Sequence, residues 1–203
     1  MLRNLLRIMH NQENINLSNT TSQNIPFPHF SATSVLTNGL EIKLYDWFEE
    51  TFEWNLVETD FYEQYEFSLL NIPPPNYLKL LIEPTTLNII TNQFTESFNI
   101  KGFELVDVVA HKLVNSQHIG VHNDFINGEE THRFVLHINP NWLEEHGGYL
   151  LLFNSANSAD MSKVVSPINN SAFGFEISKN SHHAVSKIHD FIRYSIVYTF
   201  KHI

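Results

Sequence analysis

Ser171-Ala-Phe-Gly-Phe-Glu-Ile-Ser-Lys-Asn-Ser-His-His-Ala-Val-Ser-Lys-Ile-His-Asp-Phe-Ile-Arg-Tyr-Ser-Ile-Val-Tyr-Thr-Phe200 holds two runs rich in aromatic and β-branched residues, 172–177 and 194–200. That composition suits a half-buried pleated strand. Between the runs lie His182, His183 and Arg193. Working outward, further strand-like runs occupy 103–114, 133–138, 149–153 and 164–165, divided by turn signals at Asn127-Gly128, Gly147-Gly148 and Asn169-Asn170-Ser171. Several short strands at this spacing predict a sandwich or jelly roll over 103–203.

The first half of the chain reads differently. Leu40, Leu44, Trp47, Phe48 and Phe52 recur at near-helical spacing and predict an amphipathic helix within 35–51. Pro73-Pro74-Pro75 marks a bend. Residues 77–98 then read as mostly helical, with Leu78, Leu81, Ile82, Ile89, Ile90 and Phe94 on one face. The aromatic, acidic stretch 54–70 gives no element. Residues 1–24, rich in Asn, Gln, Ser and Thr, read as a short helix followed by a flexible polar leader. The expectation is one domain over 25–203, mainly β with supporting helices (α+β): helical support at 35–100 and a β core at 103–203.

Length and charge narrow the classes. The 203 residues suit one domain with a sizeable core. Twelve Lys and Arg against 22 Asp and Glu leave a net charge of -10, so no basic footprint for nucleic acid or anionic lipid is present. With no Cys, disulfides and thiolate metal sites are both excluded, and a metal must be held by His and carboxylate. The opening Met1-Leu-Arg-Asn-Leu-Leu-Arg-Ile-Met9 lacks the apolar run of a signal peptide, and no stretch is long enough to span a bilayer. A cytoplasmic protein without nucleic-acid or membrane partners is the default expectation. Nothing in the sequence sets an oligomeric state.

His122-Asn123-Asp124 is an H-x-D triplet. On a strand or its extended exit, residues i and i+2 face the same side, so His122 and Asp124 could grip one cation. A third ligand must come from elsewhere, and His182-His183 offers one. Two His and one carboxylate leave open positions opposite, the facial arrangement of non-haem iron(II) sites. A hairpin running from His183 through His189-Asp190 would bring Arg193 and Ser195 beside such a metal. The planar guanidinium of Arg193 is suited to binding a carboxylate bidentately.

Taken in order, His122-x-Asp124, Asn139-Pro-Asn-Trp142, Gly147-Gly148, His183-x-Val185 and Arg193-x-Ser195 resemble the prolyl 4-hydroxylase-like branch of the 2-oxoglutarate and iron(II)-dependent oxygenases. The resemblance is strongest over 103–203, and Pro26-Phe-Pro-His-Phe30 looks like that family's entry into the domain. The triplet alone is common; the ordered set is specific. The resemblance implies a double-stranded β-helix, a jelly-roll or cupin-like core. It implies His122, Asp124 and His183 as iron ligands, and Arg193 with Ser195 as anchor for the distal carboxylate of 2-oxoglutarate. It implies a dioxygenase that consumes 2-oxoglutarate and O2 and oxidises an unactivated C–H bond, the cofactor carrying the hard chemistry. Related halogenases replace the carboxylate with a small residue, so Asp124 favours hydroxylation over halogenation and leaves desaturation and cyclisation open.

Two positions depart from the family's usual pattern. Leu113 and His137 stand where family members often carry Tyr. His137 is expected to take over a hydrogen bond to 2-oxoglutarate. If His137 faces the site, strand alternation turns Arg133 and Val135 the same way. An inward Arg must be paired, so Arg133 is expected to anchor substrate or co-substrate. Glu130, in the loop after the triplet, is a second substrate candidate, with a solvated acidic tip as the equal alternative. The expected substrate is an amino-acid side chain, free or in a peptide. A small specialised metabolite is the alternative, and a non-catalytic jelly-roll metal- or ligand-binding module is the alternative from another class.

Overall fold

The computed structural model describes residues 14–203, and its main feature is a pair of facing antiparallel sheets. In chain order the elements are β1 (Thr20–Gln23), β2 (His29–Thr33), α1 (Leu40–Glu50), β3 (Asn55–Glu58), β4 (Glu63–Ser68), a 3-10 helix (Asn76–Ile82) and α2 (Pro84–Phe98). There follow β5 (Phe103–Leu113), β6 (Ile119–His122), β7 (His132–Ile138), a short 3-10 turn (Glu144–His146), β8 (Leu150–Phe153), β9 (Met161–Val165), β10 (Ser171–Glu176), β11 (His183–Val185) and β12 (Arg193–His202). The large sheet has the order β1-β2-β10-β7-β12-β5-β4-β3, and the small one β6-β11-β8-β9. This is the mainly β, helix-supported jelly roll that the sequence predicts.

Strand alternation divides the large sheet into two faces. Phe134, Leu136 and Ile138 on β7, Tyr194, Ile196, Tyr198 and Phe200 on β12, and Val108 and Ala110 on β5 pack with Leu44 and Phe48 of α1 and Ile90 and Phe94 of α2. The opposite face of the same strands carries Arg133, Val135 and His137, then Arg193, Ser195, Val197 and Thr199, then Asp107, Val109 and His111. Pairing sets these side by side: Ser195 opposes both His111 and His137, and Thr199 opposes both Asp107 and Arg133. Between the sheets, Leu150 and Leu152 of β8 meet Phe173 and Phe175 of β10. The core thus lies under the helices, and the inner face is left for polar work.

Several expectations shift. The first helix stops at Glu50, and Phe52, expected on its apolar face, is 99% exposed. The expected second helix is two pieces, because Pro84 has no N–H to continue the first and fits the opening position of α2. The stretch 54–70 is a hairpin, β3–β4, added to the edge of the large sheet. Within the expected leader, Ile15 and Leu17 are buried and β1 pairs with β2, so residues from 14 onward are tied to the domain. The expected opening helix lies outside the described residues. His183 and Arg193 are not on one hairpin: β11 belongs to the small sheet and β12 to the large one, and the connection crosses between them. Among the described residues no helix is long and apolar enough to cross a membrane.

Candidate active site

β6 and β11 are neighbours in the small sheet, and their pairing sets His122 opposite His183 with ring centroids 4.2 Å apart. Each imidazole is held twice. His122 Nδ1 lies 2.9 Å from the Gly120 carbonyl and His183 Nδ1 2.7 Å from the Ser181 carbonyl. A carbonyl only accepts, so both Nδ1 atoms carry hydrogen and both Nε2 atoms carry a lone pair. Phe61 packs on the His122 ring at 5.1 Å, and Phe175 meets the edge of His183 at 5.0 Å.

Asp124 reaches the pair by a route other than strand alternation. β6 ends at His122, and Asp124 adopts a left-handed φ of 59°, a conformation Asp tolerates better than most residues. Asn123 holds the turn: its Oδ1 accepts from Phe125 N–H, its Nδ2 donates to Lys179, and its carbonyl accepts from Ser181 Oγ. Asp124 Oδ1 then lies 3.3 Å from His122 Nε2, and Oδ2 3.2 Å from His183 Nε2. The donor atoms of His122, Asp124 and His183 all lie within 4.8 Å of one another. Lone pairs on two nitrogens facing a carboxylate repel unless a cation sits among them. Buried Asp124 Oδ2 has no hydrogen-bond donor. This arrangement fits a metal ion.

Arg133 enters from β7. Its Nη1 lies 3.4 Å from Asp124 Oδ2, and its Nη2 donates to Glu130 Oε2 at 2.8 Å. The guanidinium expected to anchor substrate is therefore engaged by two carboxylates of the protein, and Glu130 is paired as well. Burial works against the charged Asp124, but the Arg133 charge beside it outweighs this and holds the carboxyl well below its usual range.

Arg193 lies on the other side of the triad. It is 4% exposed, and its Nε donates to the Gly148 carbonyl at 3.0 Å. Nη1 reaches Ser195 Oγ at 3.4 Å and Nη2 lies 3.5 Å from His137 Nδ1. Among the described residues no carboxylate lies within ion-pair distance of Arg193. Burial lowers its pKa to about 10. Guanidinium can only donate, so His137 Nδ1 accepts and Nε2 carries the hydrogen. That Nε2–H is buried and unpartnered, and burial followed by the Arg193 charge keeps the ring neutral. Arg193 and Ser195 thus line a narrow cavity with donors, and His137 stands against the guanidinium, with no anion to receive them, which fits a carboxylate of a small ligand.

The cavity beside Arg193 and a second chamber meet at His111, Ile119, His122, Arg133 and Val197. A larger cleft of about 620 Å³ lies behind Phe61 and Tyr62, but it holds none of the triad and no comparable convergence of donors. His111, expected to be structural, lines both inner chambers; burial, then the charges of Arg133 and Arg193, lowers its pKa to about 3. Alternation from Leu113 could have placed it there. Gly148 is the other residue whose role was missed: a Cβ there would lie 3.0 Å from Arg193 Cδ, so the bare backbone makes room for the guanidinium.

The comparisons agree with this geometry. A family model described as the 2OG-Fe(II) oxygenase superfamily matches residues 108–201. Residues 108–201 form a 2OG-Fe(II) oxygenase domain. The oxygenase fold extends over most of the chain. A prolyl-4-hydroxylase from Pseudomonas putida superposes with a TM-score of 0.66 at 12% identity, covering 91% of this chain and 93% of that one. A Trichoplax adhaerens prolyl hydroxylase, solved with a hypoxia inducible factor oxygen degradation domain peptide fragment, gives 0.69 at 12% identity and covers 85% and 83%. HygX from Streptomyces hygroscopicus, solved with nickel, 2-oxoglutarate and hygromycin B, gives 0.60 at 8% identity and covers 86% and 82%. No curated protein matches the sequence. The oxygenase is a dioxygenase whose cofactor is iron(II), with 2-oxoglutarate and O2 as co-substrates.

Proposed function

We propose that this oxygenase hydroxylates an unactivated C–H bond of an amino-acid side chain, free or within a peptide. His122, Asp124 and His183 hold the iron, and Arg193, Ser195 and His137 bind the distal carboxylate of 2-oxoglutarate. One observation carries the reading: two lone-pair nitrogens and a donor-less carboxylate converge across a narrow cavity from a buried guanidinium without an anion. Each cluster leaves polar atoms unsatisfied, and an iron(II) with a bound 2-oxo acid would complete both.

The protein's part is positioning. The Gly120 and Ser181 carbonyls fix both imidazole tautomers, as supporting shells do at metal sites. His122, Asp124 and His183 would hold the ion from one side, the arrangement suited to iron(II) that must also take a co-substrate. Arg193 and Ser195 set the reach of the co-substrate, and Val135, Leu150, Phe175 and Val185 keep water from it. When bound, the iron supplies activation of O2 coupled to decarboxylation of 2-oxoglutarate. The second chamber opens beside His122 and Asp124 and receives the substrate.

The test is anaerobic addition of iron(II) and 2-oxoglutarate to the purified protein. A visible charge-transfer band should appear and be lost in Asp124→Ala and Arg193→Met. A well-folded protein that neither gives the band nor turns over 2-oxoglutarate would instead be a non-catalytic binding module.

A further inference from the structure

The second chamber, about 280 Å³, is lined on its outer side by Phe61, Tyr62, Gln64, Glu66, Asp107 and Glu130. Arg133 and Glu130 offset each other at 2.8 Å. Among the described residues Glu66 and Asp107 have no Lys or Arg within ion-pair distance: His111, 3.8 Å from Glu66, has its pKa lowered to about 3, and His122 faces the triad.

The hydrogen bonds at these residues leave acceptors open. Glu66 Oε2 accepts from Gln64 Nε2 at 2.6 Å and lies 3.8 Å from His111 Nε2, and both contacts fall on that oxygen. Asp107 Oδ1 accepts from Ser68 Oγ at 2.6 Å and from Val108 N–H at 2.7 Å, again on one oxygen. A carboxylate only accepts, so the Gln64 amide must turn its nitrogen to Glu66 and is left with Oε1. Gln64 is 3% exposed, and Oε1 has no partner. An amide oxygen buried without a donor is unfavourable, and a ligand's N–H satisfies it. Gln64 Oε1, without a donor, and two carboxylates whose hydrogen bonds among the described residues each fall on a single oxygen therefore border one chamber. Between them and the triad runs an apolar strip, Val109 beside Val197.

We propose that the substrate carries a cationic nitrogen group, a primary ammonium or a guanidinium, which docks against Glu66, Asp107 and Gln64 Oε1. The aliphatic chain bearing that group lies along Val109 and Val197 and presents its C–H bond to the triad. This inference rests on the oxygenase reading. A free basic amino acid or amine and a Lys or Arg side chain in a peptide share this chemistry.

The test uses the intact protein, first titrated anaerobically with manganese(II) and 2-oxoglutarate, then calorimetrically with a panel of probes. The panel holds L-lysine, L-arginine, 1,4-diaminobutane and the blocked Nα-acetyl-lysine methylamide, with Nα-acetyl-norleucine methylamide as the neutral isostere. At least one cation should bind about tenfold or more tightly than the isostere, and Glu66→Gln and Asp107→Asn should each remove about tenfold of that preference, the weight of one half-buried charge contact. The isostere's own affinity should stay unchanged. Preference for the blocked compound assigns a peptide source, and preference for the free ones a small molecule. Equal binding of all probes, with 2-oxoglutarate bound, overturns the cation proposal and leaves the oxygenase reading standing. Failure of 2-oxoglutarate to bind overturns that reading instead; the cation preference is then read on the metal-free protein, where its absence overturns the docking site as well.

Discussion

Replacing Arg193 by Met removes the guanidinium while keeping an unbranched stem of similar length, and it should move stability and ligand affinity in opposite directions. Burial lowers the Arg193 pKa from its ordinary value to about 10. At about 1.36 kcal/mol per pKa unit, the folded protein without ligand carries a penalty of about 3 kcal/mol for that charge. Both values lie above pH 7, so at neutral pH the penalty stands in full; it would lift only as pH rose through 10. The variant loses the bond to Gly148 O, worth about 1 kcal/mol and somewhat more if the carbonyl stays unpaired. The ligand-free variant should therefore be more stable than wild type by about 1–2 kcal/mol. Its affinity for 2-oxoglutarate should fall by about 2–5 kcal/mol, as for loss of one partner of a buried charge pair. Thermal unfolding with manganese(II), with and without 2-oxoglutarate, reads both quantities. Co-substrate at about 100 times the wild-type Kd should add about 2.7 kcal/mol to the wild type and almost nothing to the variant. A less stable ligand-free variant that kept the wild-type response to 2-oxoglutarate would refute the assignment of Arg193 as an anion site held open for its ligand.

Asp124→Ala should lower cobalt(II) or manganese(II) affinity by more than the 10–100-fold typical of losing a supporting residue, measured by equilibrium dialysis with folding checked by circular dichroism. Gly148→Ala should weaken 2-oxoglutarate binding with little loss of metal affinity, because its methyl would crowd Arg193 Cδ at 3.0 Å and Ile188 Cδ1 at 2.7 Å; calorimetric titration separates the two. His132, buried among Phe94, Phe98 and Phe103, has its pKa lowered to about 4 by burial and by His202. Its folded value lies below the unfolded one, so its contribution is present above pH 6.5 and declines by about 3 kcal/mol as pH falls toward 4. His132→Phe should flatten that part of the urea midpoint's pH dependence. Gly174→Ala places a methyl into the Phe30 ring and should destabilise by about 3 kcal/mol in urea.

The legible half of the fold is the half with period-2 alternation. Residues 193–200 read Arg-Tyr-Ser-Ile-Val-Tyr-Thr-Phe, and the members packed under the helices are all apolar or Tyr while the others face the site. Alternation also turned His137, Val135 and Arg133 to one side, as expected. Edge and short strands gave no such signal: β3 is almost wholly exposed, and all four residues of β6 are half-buried. The H-x-D spacing brought His122 and Asp124 together, but through a left-handed turn that depends on bonds from Ser181 and to Lys179, more than fifty residues away. The contact between Arg133 and Asp124 was not legible for a similar reason, since their distance depends on that turn. The acidic chamber joins Glu66 of β4 to Asp107 of β5 across an antiparallel pairing, and no local pattern announces it.

The two chambers share His111, Ile119, His122, Arg133 and Val197, but part of the second one's wall comes from elsewhere in the chain. The triad and the Arg193 cavity draw on strands at the centre of the large sheet and on the small sheet, whereas Phe61, Tyr62, Gln64 and Glu66 come from a hairpin at its margin. β3 bonds only to β4 among the described strands, so changes to that outer strand leave the remaining ladders paired. Divergence can therefore rewrite what this oxygenase accepts while leaving the residues around iron and 2-oxoglutarate under unchanged selection. Among its descendants, the hairpin from Asn55 to Ser68 is where the sequences should drift apart first.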